Sequence, residues 1–165
     1  MLGAVIGDVV GSVYEFHNTR DYNFPMFSSS SNYTDDTVMT MAVADWAMKC
    51  KAAGETAYPH QLLEECMLKV ANSYPCPMVG YGGKFRLWLF YPQSLTDDTT
   101  GKPAVRRCPY NSWGNGSAMR VSSIGWLFDT LEETERVAGI SASITHNHTD
   151  GIKGAQAVAA VINLA

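Results

Sequence analysis

The run from Thr37 to Cys50, TVMTMAVADWAMKC, is apolar almost all the way round a helix, and its one obvious solvated stripe is Asp45 and Lys49, a turn apart. A helix with so little polar surface must be covered on nearly every side, so the rest of the chain has to pack around it. The remaining pattern agrees. Helical spacing of apolar residues recurs over 60–73, 83–91, 117–130, 132–144 and 150–164, while strand-like alternation is scarce. We expect an all-α fold: one compact bundle of helices around a central cleft, in a single domain over residues 1–165.

Three segments refine this expectation. Over residues 3–15, Gly3, Gly7 and Gly11 form a one-per-turn stripe that predicts a buried helix closely approached by a neighbour. Residues 92–116, rich in proline, glycine and serine, read as a long loop. The last helix ends in AQAVAAVINLA, an apolar face without a glycine stop, a basic last turn or a polar tail. Its cover is expected from another part of the fold, self-association, a partner chain or further sequence.

Composition excludes several classes. A net charge of −4 gives no electrostatic reason to expect nucleic acid or an anionic membrane as partner. The N-terminal run lacks a basic leader and is interrupted by Asp8, and no stretch is long and apolar enough to span a bilayer. Cys50, Cys66, Cys76 and Cys108 show neither zinc-site pairs nor the density of a disulfide scaffold. The reading is a soluble, cytoplasmic protein with reduced thiols.

The polar clusters stand at element boundaries. Thr34 is a good N-cap for the central helix, with Asp35 and Asp36 in its first turn, where they favour the positive end of the dipole. The same three residues also form a compact oxygen cluster suited to a hard cation, and the two readings are compatible. The run Thr-Asp-Asp-Thr of residues 34–37 returns at residues 96–99, where following turn residues predict a solvated loop. Asp8 and Glu15, seven apart and so on roughly one face of a helix, read as a buried structural carboxylate and a helix-end charge respectively, or as further members of an acidic centre needing a cation or protons. Gly114, Asn115 and Gly116 precede a helical pattern and read as a plain turn or as a phosphate-approaching one. Tyr110 and Trp113 fit core packing or stacking on a base. His146 and His148, two apart, lack same-face helical zinc spacing; they read as a loop cap or as a hydrogen-bonding contact to a ligand.

Taken together, GAVIGDVVGSVYE, YTDDTVM, GYGGKFRLW, SWGNGSAMR and THNHTDG resemble the ADP-ribosylglycohydrolase family, the relatives of dinitrogenase-reductase-activating glycohydrolase. The resemblance covers nearly the whole chain. It implies an all-helical fold around a binuclear magnesium or manganese centre, which removes ADP-ribose from a modified protein side chain or a small acceptor. It further implies that Thr34, Asp35 and Asp36 are metal ligands and that Asp35, Asp36 and the edge residue Glu15 serve catalysis. Ser112, Gly114, Asn115, Gly116, Ser117 and His146 are implied as the phosphate and ribose cradle. Cleavage at the anomeric carbon builds oxocarbenium-like charge, so such a site must orient the sugar and supply an activated water.

One motif of that pattern is missing. Family members continue to an Asp-x-Asp-Thr metal motif near their C-terminus, and no Asp-x-Asp occurs in this sequence. The expectation is therefore the first half to two-thirds of a longer enzyme, with ligands for one cation completed by water. The alternatives are a catalytically incomplete protein that binds ADP-ribose or a related nucleotide, a half-site completed by a partner chain, and a structural partner.

Overall fold

The structure, a computed structural model, describes residues 1–54, 56–75, 80–96, 101–104 and 106–165. Among the described residues seven α-helices follow one another: α1 (Leu2–Gly11), α2 (Asp35–Ala52), α3 (His60–Ser73), α4 (Gly83–Phe90), α5 (Ser122–Leu127), α6 (Leu131–Ser143) and α7 (Thr149–Leu164). Short 3-10 turns occupy Pro92–Ser94 and Asn115–Ser117. Among the described residues the only β-pairing is an isolated bridge between Thr96 and Pro103, so the all-α expectation holds. The second Thr-Asp-Asp-Thr lies, from Asp97 on, outside the described residues.

The central position of α2 follows from its composition. Val38, Met39, Ala42, Val43, Trp46, Ala47 and Cys50 are fully buried, and the exposed stripe is closed by a 2.7 Å ion pair between Lys49 and Asp45. Helices α1, α3 and α5 pack against it. On α3 the buried residues Leu63, Cys66, Met67, Val70 and Ala71 keep the spacing of one helical face. The Trp46 indole donates to Pro59 O at 3.1 Å and meets Tyr58 edge to face, and Tyr58 meets Phe128 in the same way. These contacts fasten the α2–α3 connection to the segment after α5. Tyr58 has a positive φ of 50°, a conformation that costs a non-glycine residue energy and that the packed rings hold in place.

A second layer is the α6–α7 hairpin, with α5 laid across α7. Thr130 caps α6 by accepting from the Glu133 N–H at 3.3 Å. The crossing of α5 and α7 depends on Gly125, where a Cβ would stand 2.7 Å from Ala159 O and from Ile162. Close approach of backbones requires glycine there.

Two local expectations fail. Helix α1 ends at Gly11 and contains no buried residue, and a Cβ at Gly3, Gly7 or Gly11 would meet nothing within 4 Å. The glycine stripe permits close approach, but no described residue uses it; α1 is tied to α2 through Asp8 instead. Since the helix stops before Glu15, the seven-residue spacing of Asp8 and Glu15 is not a helical face. The pattern over 117–130 is not one helix either. It is a 3-10 turn followed by α5, and between them Arg120 turns inward and becomes fully buried. At the other end of the chain Val158, Val161 and Leu164 are exposed along α7. No described helix is long and apolar enough to cross a membrane.

Candidate active site

The start of α2 sets one wall of the site. Thr34 has extended backbone angles and its hydroxyl accepts from the Asp36 N–H at 3.3 Å, so it is the predicted N-cap. The same hydroxyl donates to Asp8 Oδ1 at 2.6 Å, and Asp8 Oδ2 accepts the Thr34 and Thr37 N–H groups at 2.9 and 3.1 Å. Asp8 therefore completes the cap from α1, which is the structural reading of that residue. Asp35 and Asp36 are not needed for capping and line the cleft, with Glu15 beside them. Burial pushes the Asp35 carboxyl up to about 6, opposed by its own backbone N–H and reinforced by repulsion from Glu15 and Asp8. Asp36 is also pushed up to about 6, by burial first and then by Asp35, Asp8 and Glu15. Four carboxylates thus crowd one helix end, where burial and like charge disfavour ionisation of Asp35 and Asp36.

The opposing wall is made from two sequence motifs held side by side. The Tyr110 N–H donates to Thr145 O at 3.3 Å, and the Asn111 N–H donates to Asn147 Oδ1 at 2.7 Å. Ser112 Oγ accepts the Gly114 N–H at 3.3 Å, closing the turn before Asn115–Ser117. Gly151 at the head of α7 makes room: a Cβ there would stand 2.7 Å from Ser112 O and 3.0 Å from the His146 Cβ. His148 caps α7 by accepting from the Asp150 N–H at 3.1 Å. His146, the other histidine of the pair, is 4% exposed and lines the cleft. Burial, followed by the nearby Arg120 charge, lowers its pKa to about 4, so it is neutral at pH 7.

Behind this wall lies Arg120, 1% exposed. Its Nη2 donates to Ser141 O at 2.8 Å and to Thr145 Oγ1 at 3.0 Å, and the guanidinium stands 5.9 Å from the Phe85 ring centroid. Among the described residues no carboxylate forms an ion pair with it. Burial lowers its pKa to about 10, which leaves it protonated at neutral pH. Arg120 and the acidic cluster of Glu15, Asp35 and Asp36 thus line one cleft, and among the described residues no ion pair joins them.

The cleft encloses about 580 Å³, within the range of about 300–1,000 Å³ usual for ligand sites. Glu15, Asp35, Asp36, Ser112, Gly114, Asn115, Gly116 and His146 all line it, which brings most of the predicted site together. Thr34 and Ser117 are the exceptions. Thr34 sits behind Asp35 with its hydroxyl bonded to Asp8, and the buried Ser117 hydroxyl donates to Gly151 O at 2.7 Å, joining the turn to α7. Of the two aromatics, Tyr110 is buried on the cleft wall, whereas Trp113 is 74% exposed and belongs to no core. Sequence reading missed Arg120 and the packed pair Tyr81 and Phe85. One signal was present: Arg120 is the only charged residue between Arg107 and Asp129.

The donors fit a hard cation by type, because Asp35, Asp36 and Glu15 offer carboxylate oxygens and are short of positive charge. They do not form a complete cage. Among the described residues no three of His, Cys, Asp and Glu converge in a metal-holding arrangement, and the Thr34 hydroxyl already has two hydrogen-bond partners.

The sequence profile of the ADP-ribosylglycohydrolase family matches residues 1–165, and the chain belongs to that family. It is similar to ADP-ribosylhydrolase ARH3 of Mus musculus, at 28% identity over 184 residues, and of Homo sapiens and Bos taurus, each at 29%. These alignments cover 100% of the chain but 47–48% of each relative, so the chain spans about half the length of the curated relatives it matches.

Proposed function

We propose that the cleft binds ADP-ribose attached to a modified side chain or small acceptor and hydrolyses the bond at the anomeric carbon. The observation that carries this reading is that Arg120 and the acidic cluster line one cleft with no ion pair between them among the described residues. An anionic pyrophosphate matches the Gly114–Gly116 turn, with Arg120 as a fixed positive charge behind it and His146 beside it. The reacting ribose is then directed towards Asp35, Asp36 and Glu15. Family membership and the similarity to ARH3 proteins support the same class of substrate.

The acidic residues meet the needs of the reaction. Breaking the glycosidic bond develops positive charge on the ribose, which nearby carboxylates stabilise. A carboxylate of the cluster that holds no cation is placed to take a proton from the attacking water and return it to the departing acceptor. A magnesium or manganese ion held by Asp35 and Asp36, with water completing its shell, would supply Lewis-acid polarisation of the attacking water.

Calorimetric titration of the protein with ADP-ribose tests the binding half of the proposal. Saturable one-to-one binding, weakened at least tenfold in Gly116→Val, is expected, because the added side chain fills space against the His146 ring. No heat and no competition with any ADP-ribosylated substrate would contradict it.

A further inference from the structure

We propose that Arg120 and Thr145 are positioning residues that lock His146 as a neutral imidazole carrying its proton on Nε2, so that it meets a ligand only as a hydrogen-bond donor. Arg120 Nη2 can only donate, and it donates to Thr145 Oγ1 at 3.0 Å. Thr145 Oγ1 also stands 2.7 Å from His146 Nδ1. Thr145 is fully buried, and Arg120 and His146 are the two partners of its hydroxyl among the described residues. If Nδ1 carried a proton, the threonine hydrogen would be buried without an acceptor, a costly arrangement. The hydroxyl hydrogen therefore goes to Nδ1, and the ring proton goes to Nε2.

The Nε2 edge lies beside Gly116, and both residues line the cleft. A Cβ on Gly116 would lie 3.1 Å from both His146 Cε1 and Nε2, which places that edge against the turn on the cleft wall. The residues around the ring hold it neutral. Arg120 is the charge that acts against its protonation, Glu15 and Lys84 line the same cleft, and Tyr110, with ring centroids 6.1 Å apart, has a phenol pushed up to about 12 by burial. Asp35 and Asp36 line the same cleft from α2, while His148 and Asp150 at the head of α7 face each other at 3.8 Å. A donor-only histidine selects an oxygen acceptor, a phosphate or ribose hydroxyl oxygen under the reading above, and keeps that contact across the neutral range. The identity of that acceptor rests on the proposed function; the tautomer does not.

Long-range proton–nitrogen correlation spectra of the ¹⁵N-labelled protein read the tautomer directly, without ligand. The Nε2–H pattern for His146, unchanged from pH 8 to pH 5.5, is expected. An Nδ1–H pattern, or protonation with a midpoint near 6.5, would overturn the inference. Thr145→Val should shift the Nδ1 resonance and weaken ADP-ribose binding about tenfold, and Thr145→Ser should restore both. Unchanged resonance and affinity in the valine variant would remove Thr145 from the account. Arg120→Gln keeps an N–H donor without charge and should raise the His146 midpoint; an unchanged midpoint in the folded variant would remove Arg120. If that variant loses its fold, the wild-type spectrum and the Thr145 pair decide the matter alone. Should ADP-ribose fail to bind while the Nε2–H pattern is present, the proposed function fails and the positioning stands. Should it bind to a protein with the Nδ1–H form, only the positioning fails.

Discussion

Replacing Asp8 with asparagine would put an amide where a carboxylate now takes three donors: the Thr34 hydroxyl and the N–H groups of Thr34 and Thr37. One oxygen would become an NH₂ group facing donors, so Asp8→Asn should destabilise the protein by about 1–3 kcal/mol, read by urea unfolding. A stability equal to wild type would show that Asp8 is not the clamp of α2. Gly116→Ala makes a sharper demand on the site. Its Cβ would stand 3.1 Å from the His146 ring, and we expect weaker ADP-ribose binding with little loss of melting temperature. At this scale the sequence was legible where a residue's role is local. Thr34 reads as a cap because capping needs only its neighbours, and the Asp45–Lys49 pair reads from a four-residue spacing. Arg120 was illegible because its partners, Ser141 and Thr145, lie more than twenty residues away. Ser117 resembled a cradle residue, yet its hydroxyl turns to the backbone of α7, a contact that depends on how α7 packs.

Among the elements, the α5–α7 crossing is the most exacting contact. Gly125→Ala would bring a methyl group to 2.7 Å from a backbone carbonyl oxygen that cannot move without moving α7. A loss of about 1–3 kcal/mol is expected, measured as a fall in thermal midpoint. A neutral effect would mean that the helices separate easily. Helices α3, α6 and α7 were readable because each sustains its own apolar period over several turns, and α2 because it is apolar nearly all the way round. Helix α1 was readable as a helix but not in its burial: a glycine stripe records permission for approach, and whether a neighbour arrives is decided elsewhere. The break between Ser117 and Ser122 was hidden for a related reason. The apolar pattern continues across it, while the chain turns to carry Arg120 into the core.

For the whole molecule, pH dependence carries two contributions of opposite sign. Asp35 and Asp36 are raised from 3.8 to about 6 in the folded protein, which therefore binds more protons than the unfolded chain between those values. Their contribution is stabilising at low pH and is lost as pH rises through 6. His146 is lowered from 6.5 to about 4, so the unfolded chain binds the extra proton and stability falls as pH drops through that window. Asp35→Asn should remove part of the first contribution and raise the melting temperature at pH 7.5 in the absence of divalent ions. Magnesium or manganese should stabilise the wild-type protein at pH 7.5 and much less at pH 5, where protons compete for the same carboxylates, and should leave Asp35→Asn unaffected. Equal cation effects in both proteins would place the ion elsewhere.

The most direct test of the account is release of free ADP-ribose from a panel of ADP-ribosylated proteins and small acceptors with magnesium or manganese, run beside Asp36→Asn. Release by the wild-type chain and its loss in the variant are expected, with ADP-ribose binding retained at the turn near Gly114–Gly116. Absence of release with every substrate and cation, or release undiminished in Asp36→Asn, would contradict it.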